Sequence, residues 1–234
     1  MIFSFRAAAL AAALLIGGTV VAQSPLQGNW YSFGRDRVIR FSIRKDSLIN
    51  QHLNWDGSPR LGREQYRQAF AIFGSVKEKD VHCLRVRHLQ EGETVTSATC
   101  FRFPGADKKQ LWLVELPAAV PDTAKKGPEI PYMRLISEAE MQRLRKLPRI
   151  DSMTAADFRK YIGLVNGLQQ QLNALERQGV DAGTIRYEAY SRIRSCAAAL
   201  GYDPFYTDLQ YMRVVERFRN DPETKSLVEK LFKD

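Results

Sequence analysis

Asp80-Val81-His82-Cys83-Leu84-Arg85-Val86-Arg87-His88-Leu89-Gln90-Glu91-Gly92-Glu93-Thr94-Val95-Thr96-Ser97-Ala98-Thr99-Cys100-Phe101-Arg102-Phe103 reads as a β-hairpin. Two runs rich in β-branched and aromatic residues flank Glu91-Gly92, and an acidic residue followed by glycine suits a two-residue turn in which both central residues take positive φ. Centring the turn there pairs Gln90 with Glu93 and, counting outward, Cys83 with Cys100. The 90/93 pair is hydrogen-bonded in such a hairpin. Because pairs alternate, Cys83 and Cys100 then share a non-hydrogen-bonded position, where side chains approach most closely. A disulfide there closes a loop of about 17 residues, worth ~3 kcal/mol when unstrained. The competing reading is two unpaired thiols on a half-buried strand, and redox compartment decides between them.

The N-terminus bears on that choice. Met1–Ala22 has one positive charge at Arg6, an apolar run over Ala7–Val21, and Val20-Val21-Ala22 as small residues before Gln23. This is the composition of a cleaved secretory signal peptide. The rival, an uncleaved anchor, has a run short for a membrane span of about 20 residues. No cysteine follows the run to accept a lipid. Export to the periplasm or medium is the expectation. It favours the Cys83–Cys100 disulfide and leaves Cys196 as the odd thiol.

About 212 residues remain after cleavage, long enough for one large or two small domains with real cores. The formal charge of +9 falls by one with Arg6. Such a balance favours anionic envelope components as partners, or simply a solvated basic surface. Export and the lack of an aromatic-interleaved basic motif argue against nucleic acid, and no transmembrane span is expected after signal cleavage.

Outward from the hairpin, residues 23–136 show short strands separated by turn residues, the spacing of an antiparallel barrel or strongly curved sheet. Strands are expected near Asn29–Phe33, Val38–Ile43, Leu48–Trp55, Tyr66–Phe73, Val81–His88, Thr94–Phe103, Leu111–Leu116 and Tyr132–Ile136, about eight in all. Ile39, Phe41 and Ile43 alternate with Val38, Arg40 and Ser42, so one face is apolar. In the hairpin, His82, Leu84, Val86, His88, Val95, Ser97, Thr99 and Phe101 form the more apolar face, expected to point inward. Its two imidazoles and two hydroxyls exceed what a dry core tolerates without partners. Either they line a polar cavity, or His82 and His88 sit near the barrel mouths. On the opposite face Arg85, Arg87 and Arg102 accompany the cysteines, either to grip an anion or as a solvated surface.

Gly28-Asn29-Trp30 resembles the start of the lipocalin-like barrels, whose first strand opens with Gly-x-Trp near the mature N-terminus. The resemblance covers at most residues 24–136. It implies that Trp30 plugs one barrel end and that the lumen holds a small apolar ligand. The family's later Thr-Asp corner has an echo only at Thr207-Asp208, in the helical half, and no closing-arginine motif is present. The resemblance therefore speaks for barrel shape more than for ligand chemistry.

Pro117–Pro131 reads as a loop, and residues 137–152 as a linker with a first short helix before a helical region over 153–234. Thr154-Ala155-Ala156-Asp157 suits a helix N-cap. Phe158, Tyr161, Val165, Leu168, Leu172 and Leu175 then recur at helical spacing as far as Gly179. A second helix is expected to turn Ile185, Ala189, Tyr190, Ile193, Ala197 and Leu200 inward, forming an antiparallel hairpin with the first. Two shorter helices follow, over Thr207–Arg219 and Glu223–Lys233.

His52, His82 and His88 have no Cys, Asp or Glu at metal-ligand spacing, and no nucleophile, phosphate-loop or redox motif is present. No catalytic residue, metal or cofactor is assigned. The expectation is an α+β exported binding protein without catalysis. It takes a small amphipathic ligand in the barrel, through Trp30, His82, His88, Ser97 and Thr99, or an anionic partner on Arg85, Arg87 and Arg102. The alternatives are a scaffold or interaction module using the C-terminal helices, whose Phe158–Leu175 stripe would have to be exposed, or an envelope hydrolase. The hairpin register has a direct check: non-reduced, unfolded protein should take up one alkyl group, at Cys196, by intact-mass measurement. Alkylation at both Cys83 and Cys100 would refute the pairing.

Overall fold

Eight antiparallel strands follow one another around a closed barrel, each hydrogen-bonded to its sequence neighbours and the last returning to the first. The computed structural model describes residues 24–34, 36–61, 66–114 and 132–231. The signal-like Met1–Ala22 and the Pro117–Pro131 loop lie outside the described residues. The strands are β1 (Gly28–Phe33), β2 (Val38–Ile43), β3 (Ser47–Leu53), β4 (Arg67–Glu78), β5 (Val81–Gln90), β6 (Glu93–Arg102), β7 (Gln110–Val114) and β8 (Met133–Ser137).

The hairpin register is the expected one, with Gln90 opposite Glu93 and Cys83 opposite Cys100. Glu91 at φ 53° and Gly92 at φ 88° form its turn, the conformation that makes glycine favourable at the second place. Cys83 and Cys100 are bonded, with Cα atoms 4.0 Å apart, as the close non-hydrogen-bonded position predicts. Although the disulfide lies on the outer face of the sheet, Cys100 is buried.

Period-two alternation sends Ile39, Phe41, Ile43, Leu48, Leu84, Val86, Phe101, Leu111 and Leu135 into the lumen, where they form one buried cluster. Trp30 closes the lower end: its Nε1 donates to the Leu26 carbonyl at 2.8 Å and its ring lies 5.9 Å from that of Phe103. The lower lumen is therefore a packed core. In β4 a bulge leaves Phe73 without a partner between the Ile72–Val86 and Gly74–Arg85 pairs, and its ring is turned out to solvent.

The helical region comprises α1 (Glu138–Leu144), a 3₁₀ turn (Ile150–Ser152), α2 (Ala155–Arg177), α3 (Ala182–Ala199), α4 (Asp208–Phe218) and α5 (Lys225–Leu231). Side-chain oxygens of Thr154, Asp181 and Thr207 cap α2, α3 and α4 by accepting backbone N–H groups of the first turn. The α2 stripe is buried at Phe158, Tyr161, Ile162, Val165, Leu168 and Leu172, mostly against Val214, Val215, Val228 and the C-terminal part of α3. Among the described residues, no helix is long and apolar enough to cross a membrane.

The second helix departs from expectation. Ile193, Cys196, Ala197 and Leu200 do face the helical core, but the other buried residues of α3 are Glu188, Ser191 and Arg194. The reason is tertiary: α3 lies between α2 and the barrel, so it has two buried sides, and the barrel side is polar. Glu188 takes three hydrogen bonds from Arg134 of β8, at 2.7 to 3.1 Å, and an ion pair from Arg192 at 3.2 Å. Arg194 donates to the carbonyls of Pro204 and Tyr206, and its guanidinium lies 3.8 Å from the centre of the Trp55 ring. A third apolar cluster joins Tyr31, Phe33, Val38 and Leu53 on the barrel's outer face to Met141, Leu144 and Phe205. The helical region is thus packed on the barrel, and 137–152 is folded into the seam. Glu188→Ala should lower stability by about 2–3 kcal/mol in urea unfolding, because Arg134 and Arg192 lose their buried counter-charge.

Candidate functional site

The upper end of the barrel is where packing stops. The β1–β2 turn supplies Asp36 and Arg37, β2 supplies Ile39, β3 supplies His52, and the first turns of α3 supply Gly183, Arg186, Tyr187 and Tyr190; together they line a cleft of about 630 Å³. The helix reaches this mouth because Glu188 and Arg194 hold it against β8 and the β3–β4 connection.

Charge at the rim is arranged around one carboxylate. Asp36 accepts from Arg37 Nε at 2.6 Å and, through its other oxygen, from Arg60 Nη1 at 3.1 Å. Burial alone would raise its carboxyl, but the hydrogen bonds from Arg37 and Arg60 outweigh burial and hold it below the usual range. Arg60 is itself buried. Among the described residues, Arg37, Arg60 and Arg186 surround this one carboxylate at the rim.

His52 stands on the lumen-facing side of β3 and is stacked 4.3 Å from the Tyr66 ring. Arg37 Nη1 lies 3.0 Å from His52 Nδ1. Since arginine only donates, Nδ1 accepts and the ring proton is on Nε2. Burial first, then the positive charges of Arg37 and Arg60, lower its pKa, so the imidazole is neutral at pH 7.

Below His52 on the same face of β3, Asn50 Oδ1 is buried without a hydrogen-bond partner. His88 Nδ1 is in the same condition. It lies on the lumen-facing side of β5, its ring edge-on to Phe70 at 4.9 Å. Buried polar atoms are nearly always paired, and water satisfies such atoms in most proteins.

The five barrel residues named from sequence are not gathered here. Trp30 and His82 sit at the lower end around Phe103, His88 is in the upper lumen, Thr99 is half-buried, and Ser97 is exposed. Burial first, then Lys77 and Lys108, lower the His82 pKa. Nor do the outer arginines converge. Arg102 faces Val81, four residues along β5 from Arg85 and so about 13 Å away at the strand rise, and it is ion-paired with Asp80 at 2.9 Å. Arg85 and Arg87 are exposed.

The mouth residues Arg37, Arg60, Arg186, Tyr187 and Tyr190 carried no motif. Their one legible trace is the Arg-Tyr pairing on α3, whose Tyr190 helical periodicity assigns to a helix–helix contact. Among the described residues, no group of three or more His, Cys, Asp or Glu side chains is placed to hold a metal ion. Fold and site together define a closed eight-stranded barrel with a helix-capped, arginine-rich mouth. Comparison with protein-family models, curated proteins and solved structures finds no match to the chain.

The histidine geometry sets a pH dependence. A pKa lowered by folding contributes stability above the unfolded value near 6.5, and that stability is lost as pH falls through the folded value. In a proton NMR titration the His52 ring should therefore titrate below 6.5. Arg37→Gln should move its midpoint upward without restoring the ordinary value, since burial remains.

Proposed function

We propose that this chain is an exported binding protein of the bacterial envelope that takes a small amphipathic ligand at the upper mouth of its barrel. The anionic head lies between Arg37 and Arg186, and the apolar part rests on Ile39, Tyr187 and Tyr190. The observation that carries this reading is the cleft itself, where Arg37, Arg186 and the lumen-facing His52 stand beside Ile39, Tyr187 and Tyr190. The cleft's volume of about 630 Å³ lies within the usual range for small-molecule sites. Guanidinium groups suit a carboxylate or phosphate head because they donate in a planar fork. His52, with its proton on Nε2, adds a neutral donor.

Export is supported by the composition of Met1–Ala22 and by the disulfide, which persists in an oxidising compartment. The scaffold alternative needed an apolar stripe on α2 free for a partner, and that stripe is largely buried within the chain itself. A hydrolase needs a catalytic pair, and among the described residues that line the mouth cleft Asp36 is the one carboxylate, already engaged by two arginines.

Dodecanoate is a suitable probe because it joins an anionic head to an apolar tail. Isothermal titration should give one-to-one binding, at least tenfold weaker for uncharged dodecanol. Arg186→Met, an exposed position, should weaken dodecanoate by about tenfold, a lost charge-assisted contact, without changing the unfolding midpoint. Equal affinity of the wild type and this variant would sink the proposed head-group position.

A further inference from the structure

A second cleft, of about 250 Å³, opens in the seam between barrel and helices, away from the mouth. Its apolar walls are Trp55, Ile150, Phe205 and Tyr206, and its polar lining includes Arg145, Arg149, Asp203 and Asp56. We infer that this seam cleft is a binding site for a small zwitterion, a free α-amino acid with an apolar side chain. The ligand carboxylate meets Arg145 and Arg149, and the ammonium group meets Asp203, with Asp56 at the rim.

Both charges are held in place before any ligand arrives. Arg145 donates from Nη2 to the Trp55 carbonyl at 2.7 Å and from Nε to the Met141 sulfur at 2.9 Å, while its guanidinium lies 4.3 Å from the centre of the Phe205 ring. Its Nη1 makes no hydrogen bond among the described residues. Arg149 is exposed at the opening, with its Nε at 3.4 Å from Asp151. Asp203 Oδ1 accepts from the Phe205 backbone N–H at 2.8 Å, which fixes the carboxylate, and Oδ2 has no hydrogen bond among the described residues. Asp56 is held by Ser58, whose N–H and hydroxyl both donate to its Oδ1.

The apolar walls are equally fixed. Arg194 stacks on Trp55 and on Tyr206, at 3.8 and 4.4 Å, and ties the Pro204 and Tyr206 carbonyls to α3. A rigid cavity lined by three aromatic residues and Ile150 selects an apolar side chain. Fixed charges of both signs at its edge select a ligand carrying both. Burial raises the Asp203 carboxyl despite the Phe205 hydrogen bond and the positive charges of Arg145, Arg149 and Arg194. The site stands on residues distinct from those of the mouth, so either reading can fail alone.

The test uses the full chain and isothermal titration with L-leucine and L-phenylalanine, compared with their amides, which lack the carboxylate, and their N-acetyl forms, which lack the ammonium. The free amino acids should bind, both derivatives should be at least tenfold weaker, and Arg186→Met at the mouth should leave the affinity unchanged. Asp203→Asn keeps an acceptor for the Phe205 N–H and should weaken binding at least tenfold with an unaltered unfolding midpoint. Arg149→Met, at an exposed position, should weaken it at least threefold and serves if the Asn variant is unstable. Absence of binding at 10 millimolar amino acid would overturn the inference, as would equal affinity for the N-acetyl or amide forms, or indifference to both variants.

Discussion

Glu188 has 3 % of its side chain exposed, and Arg134 of the barrel grips its carboxylate with Nε and Nη2 of a guanidinium fork. Most of what distinguishes this molecule depends on that contact. It orients α3 so that Arg186, Tyr187 and Tyr190 face the barrel mouth on one side, while Arg194, further along, reaches Trp55 and the 204–206 segment. Both clefts are therefore built where the helical region meets the barrel. A buried ion pair contributes modestly to net stability compared with apolar packing, but it tolerates little misplacement. That intolerance is useful where two arginines and two tyrosines must be held over an opening.

The barrel divides its labour along its axis. The lower lumen is filled by aliphatic side chains and closed by Trp30, whose indole N–H is satisfied by Leu26. Near the upper mouth the inward positions become Asn50, His52 and His88, and unpaired polar atoms appear. A packed floor under a polar upper end leaves the mouth, and not the lower lumen, as the open part of the barrel. The disulfide adds to that rigidity, joining β5 to β6.

Charge also follows position rather than composition. The excess of basic residues is not concentrated in one binding face: Arg102 is paired with Asp80, Arg134 and Arg192 share Glu188, and Arg143 is paired with Glu140. What remains available at the clefts is a small number of guanidinium groups held by stacking or by carbonyl contacts.

Sequence by itself determined the elements whose causes are local. Glu91-Gly92 set the turn, the turn set the register, and the register placed Cys83 against Cys100, because each step depends on neighbours in the chain and on a side-chain period of two. The eight strands, the cap at Thr154 and the buried α2 stripe were legible for the same reason. Only the tertiary structure decided which residues share a site. His52 is far in sequence from Arg186, as Trp55 is from Phe205, and no periodicity reports that helix α3 is buried on two sides. Periodicity counts apolar residues. It assigned α3 a single inner face and passed over Glu188 and Arg194, whose burial is tolerable only because Arg134, Trp55 and two backbone carbonyls from elsewhere in the fold receive them.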